Sequence, residues 1–366
     1  MMIPMNAFQR EPESLRAKEI DAVRAVLDSG WYILGGQVKA FESAWASRTG
    51  TKYAIGVANG MDAIEIGLRC LDIGPGDEVI TTPMTAFATV LAIIRAGAIP
   101  VLADIDPDTA LLDRASVERC IGPKTRALLL VHIYGQVRDM DRWLELCKRE
   151  NIRLFEDCAQ SHLAAAMGEP SGSIGSWGAF SFYPTKNLGA IGDGGALTTN
   201  CDEIAAKAKV LRNYGQSVRY HHPVLGMNSR LDEMQAAILR VRLETLEEFT
   251  KRRQAIAVRY RAGIGNPRIR LLSAPQSVES HVYHLFVICC DDRNRLADFL
   301  KNRGIESLIH YPIPVHLQPP CRGARTDPAG LGNAERFAET CLSIPCHPQL
   351  TDDEVFEVVK ALNEYD

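Results

Sequence analysis

No Cys-x-x-Cys pair, no cluster of basic residues and no long apolar run occurs in these 366 residues. Each absence removes a class of protein. Without clustered Lys and Arg there is no electrostatic footprint for nucleic acid, and the net charge of -4 comes from scattered residues. No window approaches the roughly 20 apolar residues needed to span a bilayer. Residues 1–10 also lack a basic segment followed by an apolar one. A cytoplasmic protein that binds neither membrane nor nucleic acid is therefore expected. The ten cysteines sit mostly inside apolar runs, among them Cys70, Cys120, Cys147 and Cys289-Cys290. Buried free thiols are expected rather than disulfides or a metal site. Low-complexity tracts are absent too, and 46% hydrophobic with 23% charged residues suits an ordinary globular chain. The length accommodates a large domain and a smaller one.

What is present is one lysine in unusual company. Ser181-Phe182-Tyr183-Pro184-Thr185-Lys186 runs into Asn187-Leu188-Gly189 and a small-residue segment that ends at Gly194-Gly195. The spacing predicts a buried strand from Trp177 to Tyr183, stopped by Pro184, and glycines that let backbone approach whatever occupies the site. Burial disfavours an ammonium ion, and a neutral amine can attack a carbonyl to form a Schiff base. A surface lysine on a glycine-rich loop accounts for the same residues.

Residues 13–27 show helical spacing that Gly30 ends, and Trp31-Tyr32 before Gly35-Gly36 fits either a loop over a pocket or a packed hinge. A strand at 53–58 leads through Asn59-Gly60-Met61-Asp62 into a helix. Such a start suits a phosphate, although an ordinary cap reads the same. Strands are predicted over 78–82, 99–104, 126–132, 152–156 and 195–199, and helices over 86–96, 116–120, 139–150 and 202–212. Alternation of this kind means βαβ units and a mainly parallel sheet with helices on both faces. Ligands in such sheets lie beyond the carboxyl ends of the strands, and Gly60, Phe87, Asp157 and Lys186 each follow a predicted strand. Ser229 and Asp232 read as a cap opening one long helix to about Ile264. Beyond it, strands at 282–290 and 306–310 and helices at 293–303 and 351–362 suggest a small α+β unit. The expected division is a large domain over 1–240 and a small C-terminal one over 241–366.

A helix start suited to phosphate, a carboxylate at a strand end and a lysine on a turn together match what pyridoxal 5'-phosphate requires. Lys186 would meet its aldehyde, Asp157 would keep its pyridine nitrogen protonated, Ser181 would assist at the phosphate and Phe87 could stack on the ring.

Several ordered stretches then carry a resemblance: Gly74-Pro75-Gly76-Asp77-Glu78, Val131-His132-Ile133-Tyr134-Gly135-Gln136, Glu156-Asp157-Cys158-Ala159-Gln160, residues 181–195, Asn228-Ser229-Arg230-Leu231-Asp232-Glu233 and His310-Tyr311-Pro312. The chain resembles the DegT/DnrJ/EryC1/StrS family of pyridoxal-phosphate-dependent sugar aminotransferases over nearly its whole length. The resemblance implies the type I aspartate-aminotransferase fold, an α/β large domain with a mostly parallel sheet flanked by helices. It also implies roles. Lys186 would form the internal aldimine, Asp157 would bind the pyridine nitrogen and Gln160 the phenolic oxygen. Gly60 and Met61 would offer N–H groups to the phosphate with the Ser181 hydroxyl, and Phe87 would cover the ring. Asn228 would reach the phosphate from the partner subunit of a homodimer.

L-Glutamate would load the cofactor as pyridoxamine 5'-phosphate, which would aminate a nucleotide-linked keto sugar. Residues 220–230 resemble members acting at C3 of dTDP-linked 3-keto-6-deoxyhexoses. Amination at C4 of an NDP-4-keto sugar is the alternative. A dehydratase is disfavoured, since relatives of that kind carry histidine at the lysine, and a non-catalytic regulatory homologue is disfavoured by the intact site. Trp31, Tyr183, Arg230 and His310 are candidate contacts to the donor carboxylate or the nucleotide diphosphate, and no metal is expected. The chain departs from the family at Cys158, Ser161 and Leu163, where members commonly have alanine, alanine and glycine.

Overall fold

The computed structural model describes residues 2–366. Helices Glu13–Ser29 (α1) and Gly36–Thr49 (α2) precede the first strand, Tyr53–Val57 (β1). Alternation follows: Gly60–Cys70 (α3), Glu78–Thr81 (β2), Phe87–Arg95 (α4), Ile99–Leu102 (β3), Arg114–Cys120 (α5), Thr125–Val131 (β4), Met140–Glu150 (α6) and Arg153–Asp157 (β5). A short hairpin, Ala165–Ala166 (β6) with Glu169–Pro170 (β7), leads to Gly178–Ser181 (β8), Gly195–Thr199 (β9) and Asp202–Leu211 (α7). The remainder comprises Glu233–Leu243 (α8), Leu246–Gly263 (α9), Arg270–Leu271 (β10), Phe286–Cys289 (β11), Arg293–Asn302 (α10), Arg325–Thr326 (β12), Gly332–Thr340 (α11), Cys341–Ile344 (β13) and Asp352–Asn363 (α12).

The central sheet runs β1-β9-β8-β5-β4-β2-β3-β12, and only the pairs made by β9 are antiparallel. Its strands are apolar on both sides because both faces are covered by helices. Leu129 and Phe155 point into a core with Ile66 and Trp177, while their neighbours Leu128 and Leu154 point into an opposite core with Val117 and Leu146. Phe155 and Trp177 stack at 4.4 Å between ring centres. A separate core forms where α9, α10 and α12 cover the sheet β10-β11-β13 through Tyr260, Leu296, Val358 and Phe286, and Ile3 from the start of the chain joins it.

Four details differ from the sequence expectations. The helix expected to run to Ile264 is broken at Glu244-Thr245, where the Thr245 N–H and hydroxyl both turn back onto the Arg242 carbonyl and end α8. Ser229 does not cap α8; its hydroxyl accepts the Ala58 N–H, and Asp232 makes no side-chain cap. Residues 306–310 form only an isolated bridge at Leu308, and the strand expected over 282–290 is confined to 286–289. Residues before it bond elsewhere, the Val282 N–H to the Gly135 carbonyl.

Helix α2 was not expected, although Val38, Phe41 and Trp45 keep helical spacing and are buried. Its cap comes from far along the chain: the buried Glu233 carboxylate accepts N–H groups of Gly35, Gln37 and Val38 at 2.8 to 2.9 Å. Glu233→Ala leaves these donors without an acceptor and should destabilise the fold by about 2 kcal/mol or more. Thermal unfolding checks this, and an unchanged melting temperature would show that the cap contributes nothing.

Candidate active site

Strands β5 and β8 are parallel neighbours, with Asp157 opposite Ala179, so both end on the same edge of the sheet. Asp157 is the last residue of β5, and the chain leaving β8 makes the turn that carries Lys186. The turn is closed by backbone bonds: Lys186 N–H to the Tyr183 carbonyl at 2.8 Å, Ala190 N–H to the Phe182 carbonyl at 2.7 Å and Phe182 N–H to the Gly194 carbonyl at 2.7 Å. A Cβ at Gly189 would lie 2.3 Å from the Pro184 carbonyl oxygen, and one at Gly195 would lie 2.4 Å from the Asn59 backbone. These glycines admit the chain's own backbone, which corrects the expectation that they make room for a ligand.

Lys186 retains part of its surface, yet its amine lies deep enough that burial lowers its pKa from 10.5 to about 8 against the opposing attraction of Asp157. Asp157 is buried, and burial raises its pKa. Opposing that are a hydrogen bond from the Thr89 hydroxyl at 2.7 Å, the Ala159 N–H at 3.1 Å, and the charges of Lys186 and His132. Thr89 in turn meets the Thr85 hydroxyl at 2.8 Å. Both threonines flank Phe87, which opens α4 and is half-buried above Val90 and Leu102. A pyridinium N–H is the kind of donor this enclosed carboxylate lacks.

The N-terminus of α3 is pressed against the end of β8: a Cβ on Gly60 would come within 2.7 Å of the Ser181 Cβ. Asn59 caps the helix through Asp62 N–H at 2.8 Å, leaving the Gly60 and Met61 N–H groups at its open end beside the Ser181 hydroxyl. Gln160 presents its side-chain oxygen to the Tyr134 N–H at 2.6 Å and its amide nitrogen to the Tyr311 hydroxyl at 3.2 Å. The residues present thus fit pyridoxal phosphate on the chemistry of the donor set: an amine with lowered proton affinity, a buried acceptor carboxylate and a helix start backed by a hydroxyl.

His310 lies near Lys186 with Nδ1 2.9 Å from the Ser343 hydroxyl; burial and the Lys186 charge push its pKa down to about 4. It can serve as a neutral hydrogen-bonding group but not as a cation for a carboxylate. Tyr183 is exposed at the rim. Trp31 is 63% exposed, with its indole N–H on the Ile33 carbonyl at 2.8 Å. Arg230 stacks over Tyr214 and donates to Asn213 at 3.1 Å, and Asn228 is exposed with no side-chain hydrogen bond among the described residues. Within one chain these last three are not joined to the lysine site.

Sequence reading missed Thr85, Thr89, Tyr311 and Asn187. Asn187 clamps the lysine turn, its oxygen 3.2 Å from His284 Nδ1 and its nitrogen donating to the Val282 carbonyl at 3.1 Å. Thr85-x-Phe87-x-Thr89 at a predicted helix start was a readable signal; the other two depend on chain crossings. The buried trio His132, Glu156 and Cys158 has metal-type donors. The Glu156 oxygens are already engaged by His132 and by the N–H groups of Gly172, Ile174 and Gly175.

This sheet, with its lysine, carboxylate and helix start at one edge, defines the class of fold type I pyridoxal-phosphate enzymes. The chain belongs to the DegT/DnrJ/EryC1/StrS aminotransferase family, whose model matches residues 13–363. A Streptomyces venezuelae dTDP-3-amino-3,4,6-trideoxy-alpha-D-glucose transaminase is 44% identical over 99% of this chain and 96% of its own. An Aneurinibacillus thermoaerophilus dTDP-3-amino-3,6-dideoxy-alpha-D-galactopyranose transaminase is 45% identical over 95% of each. A Geobacillus stearothermophilus relative, 41% identical over 100% of this chain and 99% of its own, is named a pleiotropic regulatory protein. Among solved structures, that of Streptomyces venezuelae DesV with a ketimine intermediate superposes with a TM-score of 0.95 at 44% identity, covering 99% of this chain and 98% of the other. The PLP form of a Streptococcus pneumoniae sugar aminotransferase gives 0.90 at 27% identity over 99% and 98%.

A lowered lysine pKa means that the free amine appears as pH rises through about 8 rather than through 10.5. In cofactor-free protein, labelling of Lys186 by an amine reagent, followed by peptide mass spectrometry, should show its midpoint near pH 8. Asp157→Asn removes the attraction that favours the ammonium, so the midpoint should move lower still. A midpoint above 10 would contradict the burial argument.

Proposed function

We propose that this protein transfers an amino group from L-glutamate to the C3 keto group of a dTDP-linked 3-keto-6-deoxyhexose, using pyridoxal 5'-phosphate. The observation that carries the reading is a lysine of lowered proton affinity facing a buried carboxylate at the sheet edge. The C3 assignment rests on relatives named as 3-amino sugar transaminases. When bound, the cofactor supplies an aldehyde for an amine and an electron sink for the substrate carbon.

The chain's own residues do the rest. Lys186 Nζ, which loses its proton at lower pH than an ordinary lysine, would hold the cofactor; once freed by the donor amine it would take the proton from the donor carbon, and it would deliver a proton to the sugar carbon in the second half-reaction. Asp157, its oxygens fixed by Thr89 and Ala159, would accept the pyridine N–H and favour the protonated ring. Gln160 is assigned to the phenolic oxygen, Gly60, Met61 and Ser181 to the phosphate, and Phe87 to the ring face. His310, Tyr183, Arg230 and Trp31 are assigned to the substrates, His310 as a neutral donor.

A homodimer completes the site in this reading, with Asn228 reaching the partner's phosphate. Support comes from the loop before α8, where Tyr220 is 80% and Leu225 91% exposed, apolar surface that a second subunit would cover. A large domain over 1–240 and a small one over 241–366 are supported by the break between α8 and α9 and by the separate C-terminal core. A regulatory role, as named for one relative, would not need the amine and carboxylate that this chain retains.

Lys186→Ala should abolish turnover, a loss exceeding the roughly 10²- to 10⁴-fold of a positioned acid–base group, because it also removes the cofactor's anchor. Incubating the holoenzyme with glutamate should convert the cofactor's absorbance to the pyridoxamine form. Mass spectrometry over a panel of NDP-keto sugars should then show amination of a dTDP-3-keto sugar ahead of 4-keto sugars. A preference for a 4-keto substrate would move the assignment to C4, and full activity of Lys186→Ala would end the reading.

A further inference from the structure

The segment that places Asp157 continues through Gln160 to His162, a fully buried imidazole with one engaged and one idle nitrogen. Its Nδ1 lies 3.0 Å from the backbone nitrogen of Leu188, two residues past Lys186, and accepts that N–H. Accepting there fixes the tautomer, with the proton on Nε2. Nε2 makes no well-aligned hydrogen bond among the described residues, although the Ser181 carbonyl lies close enough to favour a proton on the ring. The ring is enclosed instead by Trp45, Phe180 and Phe182, with centroids at 5.7, 5.7 and 5.6 Å. Leaving a buried N–H without a well-aligned partner costs free energy that packing alone would not require, since leucine or phenylalanine would fill this box without that cost.

The residue after it tells the same story. Leu163 adopts the left-handed conformation, φ 62°, that favours glycine. The backbone bend beside His162 is thus held although the side chain there makes it strained.

We propose that His162 is a positioning residue for Lys186: as a neutral acceptor it holds the Leu188 N–H and so sets where the lysine amine enters the site. The proposal rests on Lys186 being the reacting amine. The turn is then held on two sides, by His162 at Leu188 and by the Asn187 amide at Val282 and His284. Asp157 and Lys186 are set relative to each other through one short piece of chain, 157–162. Protonation would put a hydrogen where the Leu188 N–H now points. Burial and the Lys186 charge prevent this by pushing the His162 pKa down to about 3, although the Ser181 carbonyl favours a proton on the ring.

Asn and Leu have nearly the same shape, and only Asn offers an acceptor at the position of Nδ1, so the pair separates hydrogen bonding from packing. In the holoenzyme, His162→Leu should shift the pH midpoint of the lysine-bound cofactor's visible absorbance and lower kcat by about ten- to a hundredfold with little change in KM. His162→Asn should bring both back toward wild type even if its melting temperature falls. Equal behaviour of the two variants, or a Leu variant closer to wild type than Asn, would overturn the proposal. Should His162→Leu fail to fold, His162→Ala against His162→Asn decides by the same comparison. Lys186→Ala is the control for the underlying reading: absorbance of a lysine-bound cofactor persisting in that variant would refute the role of Lys186 itself.

Discussion

Lys186 and Asp157 are taken out of water together, and each is pushed away from its ordinary charge by the same burial. For the lysine, the change from 10.5 to about 8 corresponds to about 3 kcal/mol against the ammonium, at about 1.4 kcal/mol per unit. Their mutual attraction restrains both shifts. The result is an amine freed at lower pH than an ordinary lysine and a carboxylate whose oxygens are held by Thr89 and Ala159 against the cost of burial. Two features of the fold set up this balance: the parallel strands that bring the two groups to one edge and the closed turn that carries the amine.

The cleft stays poor in competing positive charge. His162, His284 and His310 all surround Lys186, and burial lowers the pKa of each. A protonated imidazole would repel the lysine ammonium and draw Asp157 away from its partner. Three neutral rings instead supply shape and hydrogen bonds.

Much of the large unit was legible because parallel strands covered on both faces read as short apolar runs between amphipathic helices, as with Leu128–Val131 and Leu154–Phe155. The lysine and the aspartate were legible for a related reason: a charged side chain just past the end of an apolar run stands out. Less could be read where a residue's partner comes from far along the chain. The cap of α2 is Glu233, Ser229 serves Ala58 rather than α8, and the end of α8 depends on a threonine turning back on Arg242. Local spacing carries no trace of such pairings.

By itself, the sequence determined that strands and helices alternate, and that an amine, a carboxylate and a phosphate-suited helix start each follow a strand, since hydrophobic period and turn chemistry are local properties. Only the tertiary structure decided that β5 and β8 are neighbours, that Gly189 and Gly195 face the chain's own backbone, and that His162 reaches Leu188. These depend on which distant segments share a low-dielectric interior. There the proton affinity of a group is set by everything packed around it rather than by its own neighbours in sequence.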